Sequence, residues 1–205
     1  MFAHQEQLDA QQESLFVRPG FRELVEGFLR GQWREPVIAL RLSDNKLTFE
    51  VPGRRGDGTV EGENQVGRFF GNALRGVGTA AAAVFAVANS SGGSGGPKGK
   101  PEAHVRGPAN AMALDLVDRL RGVSGPWLAF SPSYLAAVDT GSTFRDPADA
   151  PAPRILWQAR KPQAPEIRFR GHTLVWPDGS SFRFPLHGRT EDQYLRQYLD
   201  SLGNG

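Results

Sequence analysis

The chain has no cysteine, only two methionines and only four lysines in 205 residues. Without cysteine there is no disulfide framework, no Cys-ligated zinc, no iron–sulfur cluster and no thiol nucleophile. No run of 18 or more apolar residues occurs, so a transmembrane helix is not expected. The first residues, Met-Phe-Ala-His-Gln-Glu-Gln-Leu-Asp, lack a basic stretch followed by an apolar one. A signal peptide is therefore not expected, and the location reads as cytoplasmic, with peripheral membrane association left open. Excess charge of one sign is missing too. Lys+Arg number 24 against 22 Asp+Glu, a net charge of +2, which excludes a polybasic nucleic-acid arm as the main feature.

What is present is an ordinary globular composition. The hydrophobic set is 39% and there are 25 glycines, which excludes wholesale disorder. The length suits a single domain, 1–205, carrying a large insertion. Twenty arginines, with abundant Ala, Gly and Pro, read as codon usage in a GC-rich bacterial genome.

Periodicity organises the chain. Phe21, Leu24, Val25, Phe28 and Leu29 recur at helical spacing, with Gly31 as the stop signal. Ile38, Leu40 and Leu42 then alternate, as do Leu47, Phe49 and Val51. Ser-Asp-Asn-Lys between them predicts a β-hairpin over 37–51. Pro108 opens a second helical pattern, Met112, Leu116, Val117 and Leu120, closed by Gly122. Strands are predicted at 127–130 and 134–138 around Ser131-Pro132-Ser133, and at 155–159. An antiparallel meander follows over 167–186, turning at Gly171-His172 and Pro177-Asp178-Gly179, with one aromatic and one polar face. Thr190 and Gln193 form a capping box for a last helix, 191–202. Its stripe of Tyr194, Leu195, Tyr198, Leu199 and Leu202 needs an apolar partner, and the aromatic face of the meander is the nearest candidate.

Searches for chemistry return little. His4, His104, His172 and His187 show no i, i+3 or i+4 pair, so no metal site is expected. Gly92-Gly93-Ser94-Gly95-Gly96 matches a nucleophile elbow in letters only, inside a glycine-rich linker. Gly76-Val77-Gly78-Thr79-Ala80-Ala81 matches a dinucleotide fingerprint but lacks the preceding strand and the later acidic residue. No cofactor and no enzymatic activity are expected.

Two features remain. Between residues 154 and 189, Arg154, Arg160, Lys161, Arg168, Arg170, Arg183 and Arg189 meet only Glu166 and Asp178. Arg168, Arg170 and Arg183 should share the outer face of the meander, with Arg160 and Lys161 nearby. The face reads either as solvated cover or as a site for anionic lipid or an acidic partner. Nucleic acid is disfavoured, because the aromatics alternate to the opposite face. The second feature is a Gly/Ala-rich stretch from Phe69 to Ala88, almost without charge. Phe69, Phe70, Gly71, Leu74, Val77, Val84 and Phe85 would lie on a helix too apolar for an ordinary surface helix. It would pack inside the chain, mediate self-association through small residues, or dip into a membrane.

Short antiparallel strands closed by one C-terminal amphipathic helix resemble the pleckstrin-homology-like superfold, including bacterial PH-like and GRAM-like domains. The likeness is carried by residues 127–138, 155–159, 167–186 and 191–202, with 37–51 as the first two strands. It implies an α+β fold, a partly open antiparallel barrel capped by the last helix, with 53–124 as a helical insertion containing a flexible loop at 89–107. It also implies a binding module for lipid head groups, phosphopeptides or proteins. The basic Lys-x-Arg signature of phosphoinositide-binding members is absent here; Arg41, Lys46, Arg54 and Arg55 only loosely fill that role. The expectation is a non-enzymatic binding or adaptor module that engages an anionic membrane surface or a protein partner. The alternative is a structural protein that forms homo-oligomers through the Gly/Ala-rich insert.

Overall fold

The structure, a computed structural model, describes residues 19–44, 47–62, 103–123, 126–141, 143 and 145–203. The fold is α+β, built on two open sheets. Helix α1 (Phe21–Trp33) leads into β1 (Ile38–Arg41) and β2 (Leu47–Glu50). Then come β3 (Ala103–Arg106), α2 (Ala113–Leu120), β4 (Pro126–Phe130) and β5 (Tyr134–Asp139). Strands β6 (Arg154–Arg160), β7 (Glu166–Arg168), β8 (Thr173–Val175) and β9 (Ser181–Arg183) precede the C-terminal helix α3 (Gly188–Gly203). Sheet one has the order β1-β4-β5-β6 and sheet two the order β2-β3-β9-β8-β7.

Sheet one is covered on both faces. Leu40, Leu128, Leu135 and Ala137 point into the core shared with sheet two and α2. Ala39, Trp127, Ala129, Ala136 and Val138 point the other way, onto Phe21, Val25, Leu29 and Trp33 of α1. The small alanines let the helix approach the sheet, while Trp127 fills the space they leave. The α1 stripe is the one its periodicity predicts, but Gly31 does not stop it. The helix runs on to Trp33, whose ring stacks on Tyr134 at 5.2 Å, and ends where Arg34 turns left-handed at φ 59°.

The predicted hairpin over 37–51 does not form. β1 pairs antiparallel with β4, whereas β2 pairs parallel with β3 in the other sheet. The corner after β1 is held by long-range bonds. Leu42 N–H donates to Pro126 O at 2.9 Å and Ser43 N–H to Pro185 O at 2.9 Å. The buried Arg41 guanidinium donates to Leu42 O, to Pro126 O at 3.2 Å and to the Asp44 carboxylate at 3.0 Å. Asp44, expected as turn chemistry, thus serves as a counter-ion; burial lowers the Arg41 pKa, and Asp44 opposes that.

The stretch from 103 to 123 supplies a strand and a helix. Residues 103–106, expected in the flexible loop, form β3, which is paired on both sides. Helix α2 buries Leu116, Val117 and Leu120 in the central core. Its N-terminus is held from outside: Asp178 accepts from Met112 N–H at 2.7 Å and Ser180 Oγ from Ala113 N–H at 3.2 Å. The meander turn is therefore the cap of α2. Gly107 sits under it, where a Cβ would lie 2.6 Å from Ser180 Cβ.

The meander β7-β8-β9 is antiparallel as predicted, with Leu174, Phe182 and Phe184 buried. Thr190, expected as the N-cap of α3, lies inside the helix. The helix begins at Gly188, two residues before Thr190, and Glu191 turns inward. Tyr198 packs edge-on to Phe130, which also meets Phe169, so α3 closes the core between the two sheets.

Candidate binding surface

Sheet two keeps one face toward solvent, and the strand registers lay its residues out in rows. One row crosses all five strands as Thr48, His104, Arg183, Thr173 and Arg168. The adjacent row reads Glu50, Arg106, Ser181, Val175 and Glu166. The period-2 alternation that buries Val105, Leu174 and Phe182 puts these polar side chains outside.

The charges pair at the margins. Arg168 meets Glu166 two residues back at 3.1 Å, which lowers the Glu166 pKa and raises that of Arg168. At the other margin Arg106 and His104 both reach Glu50 at 3.3 Å, and His104 Nδ1 meets Thr48 Oγ1 at 3.0 Å. In the centre Arg183 is exposed and has no carboxylate partner among the described residues. Its neighbours in the rows are His104, Thr173 and Ser181, none of them a carboxylate. Two strand spacings, roughly 10 Å, separate it from Arg168.

Beyond Glu50 and Arg106 the face runs into a solvent-open cleft of ≈ 590 Å³ at the ends of β2 and β3, floored by Phe49 and Val51 and bordered by Arg54 and Gly107. Arg54 is engaged there, donating to Asp118 at 3.0 and 2.6 Å and to Gly58 O at 2.8 Å. The loop holding Gly58 folds back onto the Phe49 ring, where φ of +80° and a Cβ only 2.4 Å from the ring demand glycine.

The basic set expected from sequence is divided by the fold. Arg168 and Arg183 share the outer face of sheet two. Arg170 lies in the 3-10 turn Phe169–Gly171 that follows β7. Arg160 and Lys161 belong to the end of β6 in sheet one, where the Arg160 guanidinium lies 5.4 Å from the Tyr134 ring centroid. Phe69, Phe70, Gly71, Leu74, Val77, Val84 and Phe85 lie outside the described residues. His104, Arg106 and Glu50 were not anticipated as part of the face. Their alternation with Ala103, Val105 and Phe49 was the available signal.

His172 joins this sheet to α3. It stacks on Phe184, Nε2 lies 3.3 Å from Asp192, and its backbone is left-handed at φ 45°. Burial holds its pKa below the usual imidazole value, against the pull of Asp192 and with help from Arg183 and Arg196. No cluster of three or more His, Asp or Glu side chains able to hold a metal ion occurs among the described residues, and no described helix is long and apolar enough to cross a membrane. No family model, curated protein or solved structure matches the chain.

Proposed function

We propose that the protein is a non-enzymatic binding module that docks an acidic protein segment on the outer face of sheet two. The observation that carries this reading is Arg183, an exposed guanidinium without a carboxylate partner among the described residues, at the centre of a face whose other charges pair at its rim. Arg is enriched at interface hot spots, which cluster near the centre of a contact. The PH-like resemblance, which implies a binding module, points the same way.

Charge and apolarity favour a protein over a membrane. The face carries three arginines against two glutamates, so little net charge is left, and each basic residue contributes only about 1 kcal/mol at an anionic bilayer. Met112 is the one large apolar side chain exposed among the described residues, and it is not on this face. Assembly through the stretch 69–88 remains the second reading, resting on composition alone.

The test is titration of the full chain with a glutamate-rich peptide and, separately, with phosphatidylserine vesicles. Peptide binding should weaken at least about tenfold for Arg183→Glu and with added salt, but not for Arg145→Glu, a control on an exposed loop. Vesicle binding without peptide binding, or equal peptide binding by both variants, overturns it.

A further inference from the structure

Two open sheets leave four edge strands, and an edge with free N–H and C=O groups is a template for another chain. Three of the four are blunted. On β1, Glu26 Oε1 accepts from Ala39 N–H at 3.1 Å, Glu191 Oε2 from Arg41 N–H at 2.9 Å, and Arg41 O receives His187 N–H at 2.9 Å. On β2, Phe49 N–H donates to Gly56 O of the strand's own return loop at 3.0 Å. Strand β7 is three residues long and gives way to a 3-10 turn.

Strand β6 differs. It is the longest strand, with seven residues, and nothing pairs beyond it among the described residues. Lys161 N–H bonds Ser133 O, so the odd-numbered groups near this end face β5 and those of Gln158 and Arg160 face outward. Two outward carbonyls are taken: Leu156 O by the Arg119 guanidinium at 3.2 Å, and Arg160 O by Gln163 and Ala164 N–H in the turn. Left without a partner among the described residues are Gln158 N–H, Gln158 C=O and Arg160 N–H. One antiparallel strand satisfies all three, exchanging two bonds with Gln158 and accepting one from Arg160.

We propose that β6 receives an extended acidic segment of a partner protein as a fifth strand of sheet one, registered on Gln158 and Arg160. Arg154 is paired with Asp139 at 3.0 Å, but Arg160 and Lys161 stand at the end of the strand where these groups lie, with no acidic residue between 154 and 165, which sets the charge of the occupant. A carboxylate on the partner residue opposite Arg160 would meet its guanidinium beside the Tyr134 ring. A second copy of the chain fits poorly. It brings Arg160 and Lys161 near their own copies, and symmetric pairing needs Leu156 O or Arg160 O, both already engaged. This site is independent of the Arg183 face.

The test is amide NMR of the full chain with an extended peptide of alternating Val and Thr carrying terminal glutamates, and with the same peptide N-methylated on its pairing edge. The peptide should slow exchange of the Gln158 and Arg160 amide protons at least about tenfold. The methylated peptide should not, and Gln158→Pro should lose binding while Gln158→Ala keeps it. Proline removes the outward N–H together with the Gln158 side chain, and alanine controls for the lost Gln158–Trp33 bond. Equal effects of the two peptides overturn the proposal without any variant having to fold. Perturbation confined to the Arg183 face overturns it while leaving the proposed function intact. Protection that rises with protein concentration and needs no peptide makes the occupant a second copy and overturns it as well.

Discussion

The two edges of sheet one are treated in opposite ways. At β1 the outward amides are plugged by carboxylates from two helices, Glu26 of α1 and Glu191 of α3. At β6 the outward amides of Gln158 and Arg160 have no acceptor among the described residues. The plugged edge is also where the C-terminal helix is fastened. Glu191 binds Arg22, whose guanidinium lies 3.7 Å from the Tyr194 ring centroid, and the Tyr194 hydroxyl donates to Glu26 at 2.9 Å. A sheet edge can thus be closed by side-chain acceptors instead of a strand, and the same atoms then orient the elements that supply them. Arg22 Nη1 and Arg41 Nε are buried there without a protein partner, so the closure carries a desolvation cost.

The comparison breaks most easily at Glu191. Glu191→Ala leaves Arg22 and the Arg41 amide without their acceptor and should cost about 3–5 kcal/mol in denaturant unfolding. A loss under about 1 kcal/mol would mean that water replaces the carboxylate and the edge is not held by it. Next in size is the blunted edge of β2. Gly58→Ala meets both a positive φ and the Phe49 ring and should cost on the order of 2–3 kcal/mol, measured the same way.

Tyr194→Phe removes one hydrogen bond at the plugged edge and should cost about 1 kcal/mol. Burial and the bond to Glu26 push the Tyr194 phenol from 10 up to about 12. Because the folded pKa is the higher one, this contribution is fully present below pH 10 and is lost as the pH rises toward 12. Ultraviolet titration should show a late tyrosinate that is absent in the Phe variant. At the open surfaces the effects on stability should be smallest: Arg183→Glu should shift unfolding by no more than about 0.5 kcal/mol. The depressed His172 pKa adds a pH signature. Stability tied to it is present above the unfolded value of 6.5 and lost as the pH falls through the lower folded value. His172→Asn, which tolerates the left-handed backbone, should flatten that acid limb.

Much of the fold was legible because local period suffices for it. The stripes of α1 and α2, the strands 127–130 and 134–138 around a Ser-Pro-Ser turn, and the meander all depend on residues close in sequence. The hairpin failed for the converse reason. Alternation marks Ile38–Arg41 and Leu47–Glu50 as strands but says nothing of which neighbour each takes. β3 escaped notice because Ala-His-Val-Arg is four residues beside a Gly/Ser-rich stretch.

The candidate surfaces were half visible. Arg168 and Arg183 on one face follow from the meander's alternation, and Arg160 from its charge. That Glu50 and Arg106 join Arg183's face follows from pairings across 50 or more residues, and Arg160 belongs to the other sheet through its pairing with Tyr134. Nothing local marks Glu26 or Glu191 as an edge acceptor, since each meets its amide only in the fold.

By itself, then, the sequence determined the α+β class, the identity of most helices and strands, and which side chains of each strand lie together, because side-chain alternation is set residue by residue. Only the tertiary structure decided which strands share a sheet, which edge is sealed and which is left open. Those outcomes depend on where distant backbone amides meet distant carboxylates, and no local pattern encodes that meeting.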